Sequence, residues 1–413
     1  MLAYLVCSPF PEKRGYQTFK RDGMESLHLQ WDSSQVKLSQ GLKEFRFDHS
    51  GRPVALTING NLFRRGLDGT VLCIRRYEEA GERFHSAVRL EGKQRDRLLF
   101  KVRQEILDLR PVLGENFQRI SPAVQIDLHQ DARTFSQLYG RVGILPPESY
   151  RCLLLNLTRG CSYNKCSFCN FFKDQKYILR TGPDFRRHIE DVKAAFGPSL
   201  EARRGIFIGQ ANAGNVPQET LSSALFAIRE AFPCSFTDAS GKPRHPLDFE
   251  RVSCFLDTFS QSRRTAKQWS HLRQLGLDTL FLGAESGSPR VLKLLRKPGH
   301  PRLLISLIQK LKQAGIKVNV IIMTGVGGKE MASEHVESTA ALLNSLPLSE
   351  SDRIQFSAFM PNEDSEYSHR ADAQKLTPLT PLECRLQKKQ ICSLLKGGKG
   401  PTRSLYDVNQ FVY

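Results

Sequence analysis

Cys161, Cys166 and Cys169 fall within nine residues, in Thr158-Arg-Gly-Cys-Ser-Tyr-Asn-Lys-Cys-Ser-Phe-Cys-Asn170. Thiolates are the ligands of iron–sulfur clusters, commonly four to a cube. A C-x4-C-x2-C loop supplies three and leaves one iron free for something other than protein. Structural zinc asks for a fourth ligand, often from a second C-x2-C pair. No second pair lies nearby, and the next histidine downstream is His188. Three unrelated core cysteines would pack as small hydrophobes, which suits poorly a stretch holding Arg159, Asn164 and Lys165. The run Leu153-Leu-Leu-Asn-Leu157 just before them is apolar and of strand length. The cysteines therefore lie in the loop leaving a strand, the end at which β/α barrels place their chemistry.

The elements that must position this loop alternate along the middle of the chain, which predicts a parallel sheet. Helices are expected near 184–196, 219–231, 266–275, 303–314 and 334–346, and strands at 153–157, 205–209, 252–257, 279–283, 317–323 and 354–359. Before them, Asp48-His-Ser-Gly51 and Asn59-Gly-Asn61 mark hairpins between runs such as Pro53–Ile58 and Thr70–Ile74, and a helix is expected near 96–109. The expected division is a small α+β extension over 1–149, a core over 150–365 and an extension over 366–413 packing back on the core. The amino-terminal extension is a candidate substrate lid, and its first 35 or so residues are expected to be loosely ordered.

Gly160-Cys-Ser-Tyr-Asn-Lys-Cys-Ser-Phe-Cys169 resembles the cluster loop of radical S-adenosylmethionine (SAM) enzymes, in the branch whose spacing is one residue longer than the usual C-x3-C-x2-C. Leu282-Gly-Ala-Glu-Ser-Gly-Ser288, followed by Val-Leu-Lys-Leu-Leu-Arg-Lys297, is similar to a Glu-Ser-Gly strand end of the same branch and of the Elongator catalytic subunit. The likeness runs on through 314–328 and covers about 150–365. It implies an open, six-stranded partial TIM barrel, (β/α)6, with a 4Fe–4S cluster on Cys161, Cys166 and Cys169 and SAM as cofactors. Phe168 is implied to lie against the SAM adenine. Gly209 stands where the family's Gly-Gly-Glu segment meets the SAM amino group, with Gln210 or Asn212 in place of the carboxylate. Glu285 and Ser286 are implied at the methionyl or ribose groups, and Met323 and Gly325 at the adenine.

The activity implied is reductive cleavage of SAM to a 5′-deoxyadenosyl radical that takes hydrogen from a substrate, with a flavodoxin- or ferredoxin-like reductant. The cofactors carry that chemistry, and the protein binds, orients and excludes water. Only Cys384 and Cys392 follow the barrel, too few for auxiliary clusters, and no cobalamin-binding Asp-x-His-x-x-Gly appears. A SAM- or cluster-binding regulatory or redox-sensing protein is the competing class. Sixty lysines and arginines against 42 acids give a net charge of +18, which pulls toward anionic partners. The pairs Arg186-Arg187, Arg203-Arg204, Arg263-Arg264 and Arg296-Lys297 form no dense basic run, and no nucleic-acid-binding module is visible, so a small molecule is preferred to tRNA as substrate. No apolar run approaches the roughly 18–20 residues of a membrane span. The opening Met1-Leu-Ala-Tyr-Leu-Val-Cys7 lacks the basic lead of a signal peptide. Ten irregularly placed cysteines with a clustered trio suggest a reducing compartment, the cytoplasm.

Overall fold

A computed structural model describes residues 14–20, 25–232, 251–260, 264–397, 400–406 and 411–413. The chain divides into two compact units. One runs to Val142 and takes in Glu190–Arg203 and the chain's last residues; the other comprises Gly143–Ile189 and the chain from Arg204.

The first unit is an eight-stranded antiparallel meander, β1 (Gly15–Phe19), β2 (Leu27–Trp31), β3 (Val36–Gln40), β4 (Lys43–Phe47), β5 (Pro53–Ile58), β6 (Asn61–Arg65), β7 (Val71–Glu79) and β8 (Glu82–Leu90). Leu27, Leu29 and Trp31 alternate with more exposed neighbours, so the strand has one apolar face. That face packs with Leu38, Phe45 and Phe47 against Val102 and Ile106 of the helix Gly92–Asp108. The expected hairpins are present. Asn59 and Gly60 both take positive φ, at 49° and 77°, as a two-residue turn between twisted strands requires. Of the first 35 residues, those of β1 and β2 pair along their whole length, while 1–13 and 21–24 lie outside the described residues.

The second unit is a parallel sheet in the order β17-β16-β15-β14-β13-β12-β9. Its strands are β9 (Leu153–Asn156), β12 (Ile206–Gly209), β13 (Val252–Leu256), β14 (Leu277–Glu285), β15 (Lys317–Thr324), β16 (Arg353–Ala358) and β17 (Thr402–Tyr406). A short ladder of β10 (Thr158–Arg159) and β11 (Ile178–Leu179) brackets the cysteine loop. β9 and β12 are buried throughout, as strands covered on both faces must be. The crossover helices match the expected ones. Pro301–Gln313, for instance, buries Leu304, Leu307, Ile308 and Leu311, one stripe at helical spacing.

All six expected strands are present, and the sheet is open: no pairing joins β9 to β17 among the described residues. The difference is a seventh strand. The described residues of the carboxyl-terminal extension up to Tyr406 belong to the second unit, and 411–413 to the first. Those up to Tyr406 give helices at Glu366–Ala373 and Pro381–Ser393 and then β17, paired parallel to β16 from Arg353↔Thr402 to Ser357↔Tyr406. Residues 398–399 and 407–410 of that extension, and Arg263 of one basic pair, lie outside the described residues.

Candidate active site at the carboxyl ends of the parallel strands

The cysteine loop is held by backbone and aromatic contacts rather than by a core of its own. Ser167 donates its backbone N–H to Leu295 O at 2.9 Å and its hydroxyl to Leu294 O at 2.9 Å. Tyr163 donates its hydroxyl to Arg296 O at 2.7 Å and sits edge-on to Phe259, with ring centres 4.8 Å apart. Asn164, at φ 46°, directs its backbone N–H to Cys161 Sγ at 3.3 Å and its side-chain amide to Phe172 O at 2.6 Å. Asparagine tolerates this left-handed conformation better than most residues. All three cysteines are part-buried and unbridged.

Their thiols lie within electrostatic reach of one another. Burial pushes Cys166 up to about 12; the Lys297 ammonium opposes this, and Cys169, Glu285 and Cys161 add to it. Burial also raises Cys169. Lys297 and Glu285 form an ion pair at 2.7 Å, each side chain 9% exposed. Burial disfavours the Lys297 charge, but Glu285 and Cys166 more than offset it, and its pKa is raised.

The shape of β14 produces this pair. Its ladder with β15 has an irregularity between Gly283 and Glu285, and Glu285 takes φ 62°. Such bulges re-aim a side chain. The carboxylate turns back over Gly283, where a Cβ would stand 2.3 Å from Glu285 Oε1 and 2.7 Å from Lys297 Nζ. Gly283 is thus required by the ion pair beside it.

Ser286 goes elsewhere. Its hydroxyl meets His335 Nδ1 at 2.8 Å and accepts from Ser288 N at 3.0 Å. Gly287 lets the helix Ala332–Ser345 approach so closely that a Cβ would sit 2.1 Å from Ser338 O. Phe168 and Met323 do come together, in an apolar group with Val291, Val326 and Tyr367, and Phe168 lies edge-on to Phe359 at 6.4 Å. Gly325, at φ 88°, donates to Gln387 Oε1 at 2.8 Å, and a Cβ there would meet Cys384 Sγ at 2.8 Å.

Gln210 accepts from Gly160 N at 2.8 Å and its own backbone N–H donates to Thr158 Oγ1 at 2.9 Å, tying the end of β12 to the cysteine loop. Asn212 bonds Asp257 at both ends of its amide: its amide nitrogen donates to the carboxylate, and its oxygen accepts from Asp257 N at 2.9 Å. Asp257 also accepts from Phe259 N at 3.1 Å and Ser260 N at 2.6 Å, and its charge reaches Lys297.

The sequence model of the radical SAM superfamily matches residues 155–343. Those residues are a radical SAM domain. Solved structures of radical SAM proteins are similar at low identity. HemN, the coproporphyrinogen III oxidase of Escherichia coli, is 16% identical with a TM-score of 0.38, over 63% of this chain and 54% of its own. Methylornithine synthase (PylB) is 13% identical at 0.39, over 76% and 79%. The methyltransferase TsrM of Kitasatospora setae is 16% identical at 0.36, over 50% and 36%. This chain thus spans 36% of TsrM and 54% of HemN. No curated protein matches the chain in sequence.

The superfamily's cofactors are a 4Fe–4S cluster and SAM, and the residues present fit both. Three soft thiols, the donor type that iron–sulfur clusters take, are carried on one loop. For SAM, the strand ends offer the part-buried Phe168 and a buried ammonium. Lys297 and Asp257 were singled out by no sequence pattern. The only signal for Lys297 was its place at the end of the run following the Glu-Ser-Gly segment.

Proposed function

We propose that the chain is a radical SAM enzyme in which Cys161, Cys166 and Cys169 hold a 4Fe–4S cluster with one open iron. The observation that carries this reading is the gathering of the three thiols beside the buried Lys297–Glu285 pair, at the carboxyl ends of the parallel strands. When bound, cluster and SAM supply one-electron cleavage to a 5′-deoxyadenosyl radical that takes a hydrogen atom from substrate. The chain's own residues bind and orient. Lys297 has three donor positions and offers those not facing Glu285 to the SAM carboxylate. Phe168, with Met323 and Gly325, gives the adenine an apolar wall, and Gly209 brings the end of β12 close to Asn156 beside the methionyl end. Ser286 acts through His335 and Ser288, shaping the strand end rather than touching ligand. A flavodoxin- or ferredoxin-like reductant delivers the electron, the compartment is the cytoplasm, and the substrate is a small molecule. No helix among the described residues is long and apolar enough to cross a membrane.

The test is anaerobic reconstitution with iron and sulfide, reduction with dithionite, and chromatography for 5′-deoxyadenosine. Its accumulation in the wild type and loss in the triple cysteine-to-alanine variant is expected. A cluster that forms and binds SAM but cleaves none, with substrate extracts present, would favour the regulatory class instead.

A further inference from the structure

The resemblance puts the end of β12 at the SAM amino group, and the two side chains standing there in place of the carboxylate are both committed. Gln210 Oε1 holds Gly160 N. Asn212 is bonded at both amide ends to Asp257. Across the ladder from Gly209 stands Asn156, the last residue of β9. Its backbone N–H donates to His188 Nε2 at 3.0 Å. Its side chain is 0% exposed, yet neither Oδ1 nor Nδ2 has a hydrogen-bond partner in the protein.

A buried amide left unbonded costs stability, on the order of 1–3 kcal/mol, so its persistence calls for a use. The missing side chain of Gly209 is what admits it: a Cβ there would lie 2.4 Å from Asn156 Oδ1 and 2.7 Å from Leu154 Cδ1. Register puts Asn156 and Gly209 together at the strand ends, five residues before Cys161.

We propose that Asn156, from the first parallel strand, supplies the hydrogen-bond acceptor for the ammonium of the SAM methionyl end that the second strand of this chain lacks. The inference rests on SAM being the ligand of this mouth. Because the amide is enclosed, ligand entry must part the segment following Gly209 from it, and Gly209→Ala would press on Oδ1 directly. A neutral acceptor serves an ammonium without adding a second fixed negative charge beside Glu285 and the thiols.

The test compares wild type, Asn156→Leu and Gln210→Leu. Thermal melts use the apo protein; SAM affinity is read by titration calorimetry on the anaerobically reconstituted protein. Asn156→Leu removes both unbonded groups on the same branched skeleton, so it is expected to melt at or above wild type while binding SAM about 10- to 100-fold more weakly, the range for a hydrogen bond to a charged group. Gln210→Leu, which strands Gly160 N, is expected to melt lower. Equal SAM affinity in wild type and Asn156→Leu overturns the assignment, and so does a clear drop in the Asn156→Leu melting temperature, which would mean the amide is bonded within the protein. A wild type that holds a cluster and binds no SAM removes the functional reading and this inference with it.

Discussion

Lys297→Met is the substitution that most directly interrogates the mouth of the barrel. In the native state the ammonium sits 2.7 Å from Glu285 Oε1, with each side chain 9% exposed. Removing one member of such a pair leaves an uncompensated buried charge, which costs about 3–5 kcal/mol. Here the Glu285 carboxylate would act on the Cys166 sulfur with the opposing Lys297 charge gone. Replacing both members, as Lys297→Met with Glu285→Gln, removes the charge as well as its partner, and is expected to cost about 1 kcal/mol or less. The second substitution should therefore recover roughly 2–4 kcal/mol of what Lys297→Met alone loses, the mark of two coupled neighbours. The chain has two tryptophans: Trp31 in the antiparallel unit, and Trp269, fully buried in the parallel one. In a Trp31→Phe background, urea unfolding of the apo protein followed by fluorescence reports the parallel unit alone. With a slope of about 1–3 kcal/mol per molar, the single variant is expected to lower the midpoint by roughly 1–3 M. A loss below about 1 kcal/mol, or a double variant as unstable as the sum of the singles, would refute the account of a charge pair held out of water.

Cys161→Ala, Cys166→Ala and Cys169→Ala are each expected to abolish the 4Fe–4S absorbance and electron-spin signal after reconstitution, whereas Cys384→Ala keeps both; a full cluster spectrum in Cys166→Ala would sink the ligand set. Gly287→Ala drives a Cβ to 2.1 Å from the Ser338 carbonyl and should destabilise the parallel unit by about 1–3 kcal/mol, as overpacking does, read by the same urea assay. Burial holds His188 down at about 3 and His335 at about 4, against 6.5 when exposed. Both are neutral in the folded protein and take a proton on unfolding once the pH drops below about 6.5, so their contribution is complete above that pH and shrinks as pH falls toward 4. The loss should reach roughly 2 kcal/mol per histidine between pH 7 and 5. His335→Gln should flatten part of that slope in urea midpoints measured across the range, and an unchanged slope would show that His335 does not contribute.

The parallel unit was legible because its physics is local and repeated. Fully buried apolar runs such as Leu153–Asn156 and Ile206–Gly209 alternate with striped helices, and a parallel sheet covered on both faces leaves that pattern in the chain. β17 left none. Thr402-Arg-Ser-Leu-Tyr406 is an edge strand held by backbone pairing to β16, and pairing has no composition. β1, with Tyr16 exposed at 59%, was hidden for the same reason. At the site, the three cysteines stand together in the sequence itself, and Phe168 and Met323, which the resemblance implies at one ligand group, do share one apolar cluster. The Lys297–Glu285 contact depends on a bulge and a positive φ across a twelve-residue excursion, which spacing does not encode. Nor does spacing say which polar groups are already bonded, and that is what separates Asn156 from Gln210 and Asn212.

A zwitterion suits this mouth better than an anion does, despite the net charge of +18. Lys297 is not a free cation awaiting an anionic group: Glu285 already balances it, and Asp257 adds negative potential. A purely anionic ligand at that point would meet Glu285 at short range, where low dielectric strengthens the repulsion far beyond the screened attraction of distant surface arginines. A purely cationic one would meet the Lys297 ammonium. A methionyl group brings a carboxylate for the remaining protons of Lys297 and an ammonium for a neutral acceptor, and it leaves the Lys297–Glu285 pair intact and the local charge unchanged. The excess basic charge of the surface therefore acts at long range, on whatever approaches the protein, while recognition at the strand ends is decided by hydrogen-bonding groups that balance one another.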